Sequence, residues 1–355
     1  MPEPLKHALV ALRKEETSSV GGRTPDEGPS QHGLLLALAL VIPVVVTLST
    51  ALWLRSAYTS HVFHLQGFLG QYSSGIYRYR ILGREILLST YRMLASHHAD
   101  RPFSMPTDPD ATLLFYGAYV LLNAVCFFFS NLALLLLLGD WKQGISDLHL
   151  ALYFFLVFLL ALSAYTVTPY DQLAYLLMLA CFLSLRLRSR WAVYLILGIA
   201  AITGTLNRET EYLVTPALLT VAWFAAPREA KQYYYTGFYH LLLFAGCYLG
   251  LRIFLPGVPM VAAGITLGGK WALSGLIVLS TLFYIGLTLV AKEYRDRKPA
   301  LVLLLLSTPY IVTIILSGEL RELRLLLPLL LCLVFVYVQL TALRPPTPAL
   351  DANRS

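Results

Sequence analysis

A chain of 355 residues with 57% apolar and only 13% charged side chains, at a mean hydropathy of +0.65, is not composed like a soluble protein. An ordinary globular chain carries roughly a quarter charged residues. The apolar residues form long blocks, which excludes a soluble nucleotide-binding enzyme or a DNA-binding domain, and the net charge of +7 must be read by position.

Residues 1–32 are polar and are expected to form a cytoplasmic tail, with Gly21, Gly22, Pro25 and Pro29 late in the stretch. The first apolar block, 33–54, is long enough to span a membrane and is followed by no small-residue cleavage site. It is read as an uncleaved helix and not as a signal peptide. Nine further blocks follow at 112–138, 148–167, 171–185, 191–206, 212–226, 236–255, 271–291, 299–317 and 325–343. The chain is therefore expected to be all-α, with residues 33–343 as one transmembrane domain of ten helices and 344–355 as a second cytoplasmic tail. A fully spanning helix needs roughly 20 residues, so the fourth, fifth and sixth blocks are short, as helices are that end inside a cavity. Cys126, Cys181, Cys247 and Cys332 all lie inside apolar blocks, which predicts free thiols.

Ten spans place both termini on one side. The turns on that side, with the tails, hold sixteen of the 27 basic residues, including Arg186, Arg188, Arg190, Arg228, Lys231, Lys292 and Lys298. Six of the remaining eleven fall in the long loop 55–111. Short loops set orientation, so the termini are expected in the cytoplasm. The opposite, outer face carries ten Arg and a single Lys, Lys270. Arginine offers a planar fork of donors matched to phosphate and carboxylate oxygens, which a charge that merely sets topology does not need.

Four outer segments set arginine or polar groups beside carboxylates at helix ends: YRYRILGRE at 77–85, TPYD at 168–171, NRETE at 207–211 and GELRELR at 318–324. A charge near the bilayer centre costs roughly 2.5–3.5 kcal/mol, so such residues face a cavity or a partner. The bland alternative is snorkelling arginines with local ion pairs, such as Glu319 with Arg321. Four segments on one face favour a site. Within the first loop, Leu82, Ile86, Leu87, Met93 and Leu94 share one helical face, while Arg80, Arg84, Glu85 and Arg92 share the other. This predicts an amphipathic helix lying in the membrane interface. His61 and His64, with His97, His98 and Asp100 on the same side, have no motif of known ligand geometry, and neither a metal nor any other cofactor is expected. His240 and Cys247 are read as structural.

Arginines suit a lipid phosphate at headgroup depth, apolar walls suit its tail, and a carboxylate can deprotonate an acceptor hydroxyl. GIYRYRILGREIL, PYDQLAYLLMLA, LNRETEYLVTPALL and GELRELRLLLPLL resemble bacterial members of the C-type membrane glycosyltransferase superfamily. That resemblance, over most of residues 60–330, implies a multi-spanning protein of the bacterial inner membrane. It implies a polyprenyl-phosphate sugar as donor, a glycan, lipid or protein acceptor on the extracytoplasmic face, and no nucleic-acid partner. The superfamily usually places an acidic residue early in the first outer loop. Here residues 55–84 contain no Asp or Glu, and Glu85 is the first. The base is then Glu85, Asp171 or Glu209. Arg78, Arg80 and Arg208, followed by Arg321 and Arg324, are expected to hold the phosphate, with Glu211, Glu319 and Glu322 orienting them. Two other readings remain: an O-antigen-polymerase-like or ligase-like enzyme on polyprenyl-diphosphate glycans, and a secondary transporter or flippase.

Overall fold

The computed structural model describes residues 31–53, 63–72, 76–97, 113–139, 145–164, 168–255, 296–317 and 323–343. The expectations for His61, His98, Asp100, the block 271–291, Lys270, Glu319, Arg321, Glu322 and most of both tails fall outside those residues. Two units are distinguished, Met1–Leu38 and Ala39–Ser355, and the bundle described here belongs to the second.

The described residues are helical, with no strand among them. In chain order the helices are α1 (Gln31–Trp53), α2 (Leu65–Gln71), α3 (Ile81–Ser96), α4 (Leu113–Leu138), α5 (Asp147–Ala164), α6 (Asp171–Ser184), α7 (Arg190–Asn207) and α8 (Val214–Phe224). They continue with α9 (Pro227–Phe254), α10 (Lys298–Leu306), α11 (Thr308–Ser317) and α12 (Leu323–Leu343). Short 3-10 turns at Ile76–Tyr79 and Glu209–Leu213 precede α3 and α8. Five of these helices, α4, α5, α7, α9 and α12, are long and apolar enough to cross a membrane. Their outward faces carry Phe158, Leu195, Ile199, Phe238, Leu242 and Leu249, all more than half exposed, as suits a protein bathed in lipid.

Two elements differ from the sequence reading. α9 is 28 residues long and begins at Pro227, whose missing N–H is harmless in a first turn. The block 299–317 is two helices that meet at Ser307, just before Pro309, which cannot donate to the carbonyl of Leu305. The Thr308 hydroxyl donates to Leu305 O at 2.7 Å, and Tyr212 OH donates to Leu306 O at 2.9 Å, so the freed carbonyls are satisfied.

The same device recurs where proline lies inside a helix. Pro43 frees the carbonyl of Ala39, which accepts from Asn131 Nδ2 at 3.1 Å. Pro328 frees the carbonyl of Arg324, which accepts from Tyr175 OH at 3.3 Å. Without water in a bilayer, a neighbouring side chain has to take over each lost bond. Asn131 is fully buried and also accepts from Tyr153 OH at 2.7 Å, tying α1, α4 and α5 together. Asn131→Leu should destabilise the bundle by about 1–3 kcal/mol, the cost of stranding two buried polar groups. A drop in thermal midpoint in detergent is the expected readout; an unchanged midpoint would show these bonds to be dispensable.

Elsewhere the packing is apolar and aromatic. Phe182 of α6 stacks on Phe335 of α12 with ring centroids 3.9 Å apart, and a core of Phe63, Phe68, Phe115, Tyr116 and Tyr119 joins the first loop to α4. At the ends of α4 and α6, Arg186 donates to the carbonyls of Leu136, Leu137 and Gly139, closing the C-terminus of α4.

Candidate functional site

The opposite ends of α6 and α7, together with the start of α12, carry most of the buried charge. α6 begins at Asp171, and its first turn is held by a local exchange. Asp171 N–H donates to Thr168 Oγ1 at 3.2 Å, and the Thr168 hydroxyl donates to Asp171 Oδ2 at 2.7 Å. The carboxylate is 1% exposed. Arg208 Nη1 bonds its Oδ1, and Arg324 Nη1 donates to Oδ2 at 3.1 Å. Both oxygens of Asp171 are therefore engaged, one by Arg208 and the other by Arg324 and Thr168.

Arg208 reaches this position because α7 stops at Asn207. Arg208 adopts an extended backbone (φ −164°, ψ 146°) that swings its side chain off the helix axis toward α6. Asn207 Nδ2 donates to Tyr170 O at 2.8 Å, binding the end of α7 to the start of α6. The 3-10 turn that follows has about three residues per revolution, so side chains two apart diverge by roughly a third of a turn. Glu209 and Glu211 consequently point to different places.

Glu209 faces the first loop, where its Oε2 lies 3.7 Å from Arg80 Nη2. Arg80 is 7% exposed and lies over the Tyr170 ring at 4.4 Å and the Tyr77 ring at 5.1 Å. Its Nε has no hydrogen-bond partner among the described residues. Burial works against the Arg80 cation, but Tyr170, Glu209 and Tyr77 outweigh it and hold the pKa above the ordinary arginine value. Gly83, one turn into α3, allows this approach. A Cβ there would lie 2.9 Å from Asn207 Oδ1 and 3.0 Å from Pro169 O, so a side chain would push the loop away. The turn before α3 is anchored from α9, where Arg252 stacks on the Tyr79 ring at 4.0 Å and Leu255 O accepts from Tyr79 OH at 3.2 Å.

Arg80, Asp171, Arg208, Glu209 and Arg324 thus converge from four distant segments of chain. Among the described residues, three guanidinium groups face two carboxylates, a net positive charge. Of these five, Glu209 is the most open, with 31% of its side chain exposed.

The other candidates lie apart from this group. Glu85 is exposed and turned onto its neighbour, with Oε1 2.8 Å from Arg84 Nη2. Arg78 is half-buried in the 3-10 turn before α3. Glu211, expected to orient an arginine, instead accepts from Cys181 Sγ at 3.4 Å and lies 3.3 Å from His240 Nε2. Arg321, Glu319 and Glu322 lie outside the described residues. His64 caps α2 by accepting from Gly67 N–H at 3.1 Å, and His97 Nδ1 lies 2.9 Å from Met93 O, so both serve local structure. The sequence reading passed over Thr168, Tyr170 and Asn207, although all three stand inside the quoted TPYD and NRETE segments. Counting charges alone hid them.

No family model, no curated protein and no solved structure matches this chain.

Proposed function

We propose that the protein is an inverting glycosyltransferase that moves a sugar from a polyprenyl-phosphate donor to an acceptor on the extracytoplasmic face. The observation that carries this reading is the gathering of three buried guanidinium groups, Arg80, Arg208 and Arg324, at one end of apolar helices, in excess of the carboxylates among the described residues. A net cation in a low-dielectric setting favours an anionic partner, and arginine forks favour phosphate. The chain crosses the bilayer ten times, α3 lies in the interface, and both tails are cytoplasmic. Trp191 and Trp223, 87% and 68% exposed at the ends of α7 and α8 away from the Arg80–Arg208–Arg324 cluster, suit the cytoplasmic headgroup layer. The protein then belongs to the C-type glycosyltransferase superfamily of the bacterial inner membrane.

In this scheme Arg80 takes the donor phosphate, with Arg208 and Arg324 completing the positive field. Glu209 accepts the proton of the acceptor hydroxyl. The acceptor oxygen bonds to the anomeric carbon from the face opposite the phosphate, and the bond from that carbon to the phosphate oxygen breaks. Polyprenyl phosphate leaves with the electron pair, and the guanidinium groups stabilise its growing charge, so no separate acid is needed. Asp171 does not act as base, because its oxygens are already held by Arg208, Arg324 and Thr168. It aims the two arginines.

Purified protein in lipid, given a labelled polyprenyl-phosphate sugar, should release polyprenyl phosphate and a labelled product. Arg80→Lys keeps the charge but loses the fork, and should slow turnover about 10- to 100-fold with unchanged expression. Unaltered turnover in that variant would remove Arg80 from the phosphate. Accumulation of intact substrate inside proteoliposomes, without covalent product, would establish a transporter in place of the transferase.

A further inference from the structure

Glu211 heads away from the arginines into the interior between α6, α8 and α9, where its surroundings are of a different kind. Its carboxylate packs on α7 so closely that a Cβ on Gly204 would lie 2.4 Å from it. Cys181, Glu211 and His240 are each no more than 1% exposed, and one ligand atom from each lies within 4.8 Å of the others. Among the described residues, the ion pair with His240 is the only one Glu211 makes.

The spacing is informative. Glu211 Oε1 is 3.3 Å from His240 Nε2 and 3.4 Å from Cys181 Sγ. The first is long for a charge-assisted N–H···O bond, which closes to about 2.7–2.9 Å. Both match the edges of a tetrahedron around zinc, where metal–oxygen and metal–nitrogen bonds of about 2.0 Å and a metal–sulfur bond of about 2.3 Å put donor atoms roughly 3.3–3.6 Å apart. The histidine is also set as a ligand histidine usually is. Its Nδ1 is 2.9 Å from Thr215 Oγ1, which directs Nε2 toward the other two donors. Charge balance agrees. A divalent cation with one thiolate and one carboxylate is neutral overall, whereas an ionised Glu211 paired only with histidine is costly in a bilayer interior. Cys332, on α12, donates to Leu213 O at 3.4 Å and is not one of the three ligands.

We propose that Cys181, Glu211 and His240 form a buried site for a borderline-soft divalent cation of the zinc class, pinning α6, the 3-10 turn and α9 together. Binding displaces the Cys181 thiol proton to solvent, so loading weakens as pH falls. This site shares no residue with the arginine cluster and stands whether or not the chain is a glycosyltransferase.

The full-length protein, produced with zinc and purified in detergent, should carry about one equivalent of metal by elemental mass spectrometry. Exchange with cobalt should give a thiolate-to-cobalt charge-transfer band. Cys126→Ser should keep that band, and Cys181→Ser should lose it. Glu211→Gln and His240→Gln should each lower the bound metal at least tenfold. Folded wild-type chain that holds no zinc and shows no cobalt–thiolate band would overturn the site and leave the three groups as a hydrogen-bonded cluster. That wild-type result decides the matter even if the variants do not fold.

Discussion

Asp171→Ala is expected to destabilise the protein by about 3–5 kcal/mol, the scale for removing one partner of a buried ion pair. The reason is what the substitution leaves behind. Arg208 and Arg324, 3% and 6% exposed, would remain charged with no carboxylate between them. Arginine does not escape by losing its proton. The bundle would have to open at that end or admit water and counter-ions. Asp171→Asn should be milder, since the amide oxygen still accepts one bond while the amide nitrogen confronts the other guanidinium. Thermal unfolding in detergent gives the comparison. A midpoint for Asp171→Ala within a degree or two of wild type would mean that the two arginines have another counter-charge, and Asp171 would lose its orienting role.

The second large effect is expected at Glu209. Glu209→Gln preserves shape and removes the basic oxygen, and turnover should fall about 10²- to 10⁴-fold, the usual contribution of a general base. Stability should hardly move, because the carboxylate is partly open and its distance to Arg80 is 3.7 Å. Asp171 and Glu209 therefore separate by readout, the first failing in folding and the second in rate. Glu85→Gln should do neither, given an exposed side chain turned to Arg84. A full rate in Glu209→Gln combined with a lost rate in Glu85→Gln would reverse the assignment of the base.

The all-helical architecture was legible from composition and block length, and helices α4 to α7 start and stop within a few residues of the blocks read from the sequence. What block length does not carry is the fate of prolines. Pro309 divides an apolar run that reads as one helix, whereas Pro328 lies inside α12, with its freed carbonyl taken by Tyr175, far away in sequence. The charged segments were legible as a set, because arginine beside carboxylate at a helix end is rare in lipid. Their division of labour was not. Whether Glu209 or Glu211 meets an arginine depends on the backbone turning at Arg208 into a 3-10 helix, and a string of letters has no sign of that turn. Cys181 and His240 read as unremarkable core residues, since they lie far apart in sequence and only the 3-10 turn, packed on both α6 and α9, sets them beside Glu211.

Arg324 has an unusual attachment. Its guanidinium is held by Asp171 and its carbonyl by Tyr175, one turn further along the same helix. α12 is thus latched to α6 at two points, one on the backbone and one on the side chain. Sliding α12 by a single turn would break both at once, so small shifts are resisted and the two helices move as one body. The rotamer of Arg324 is settled when the chain folds, so in the proposed reaction the donor phosphate would have no ordering entropy to supply at that position.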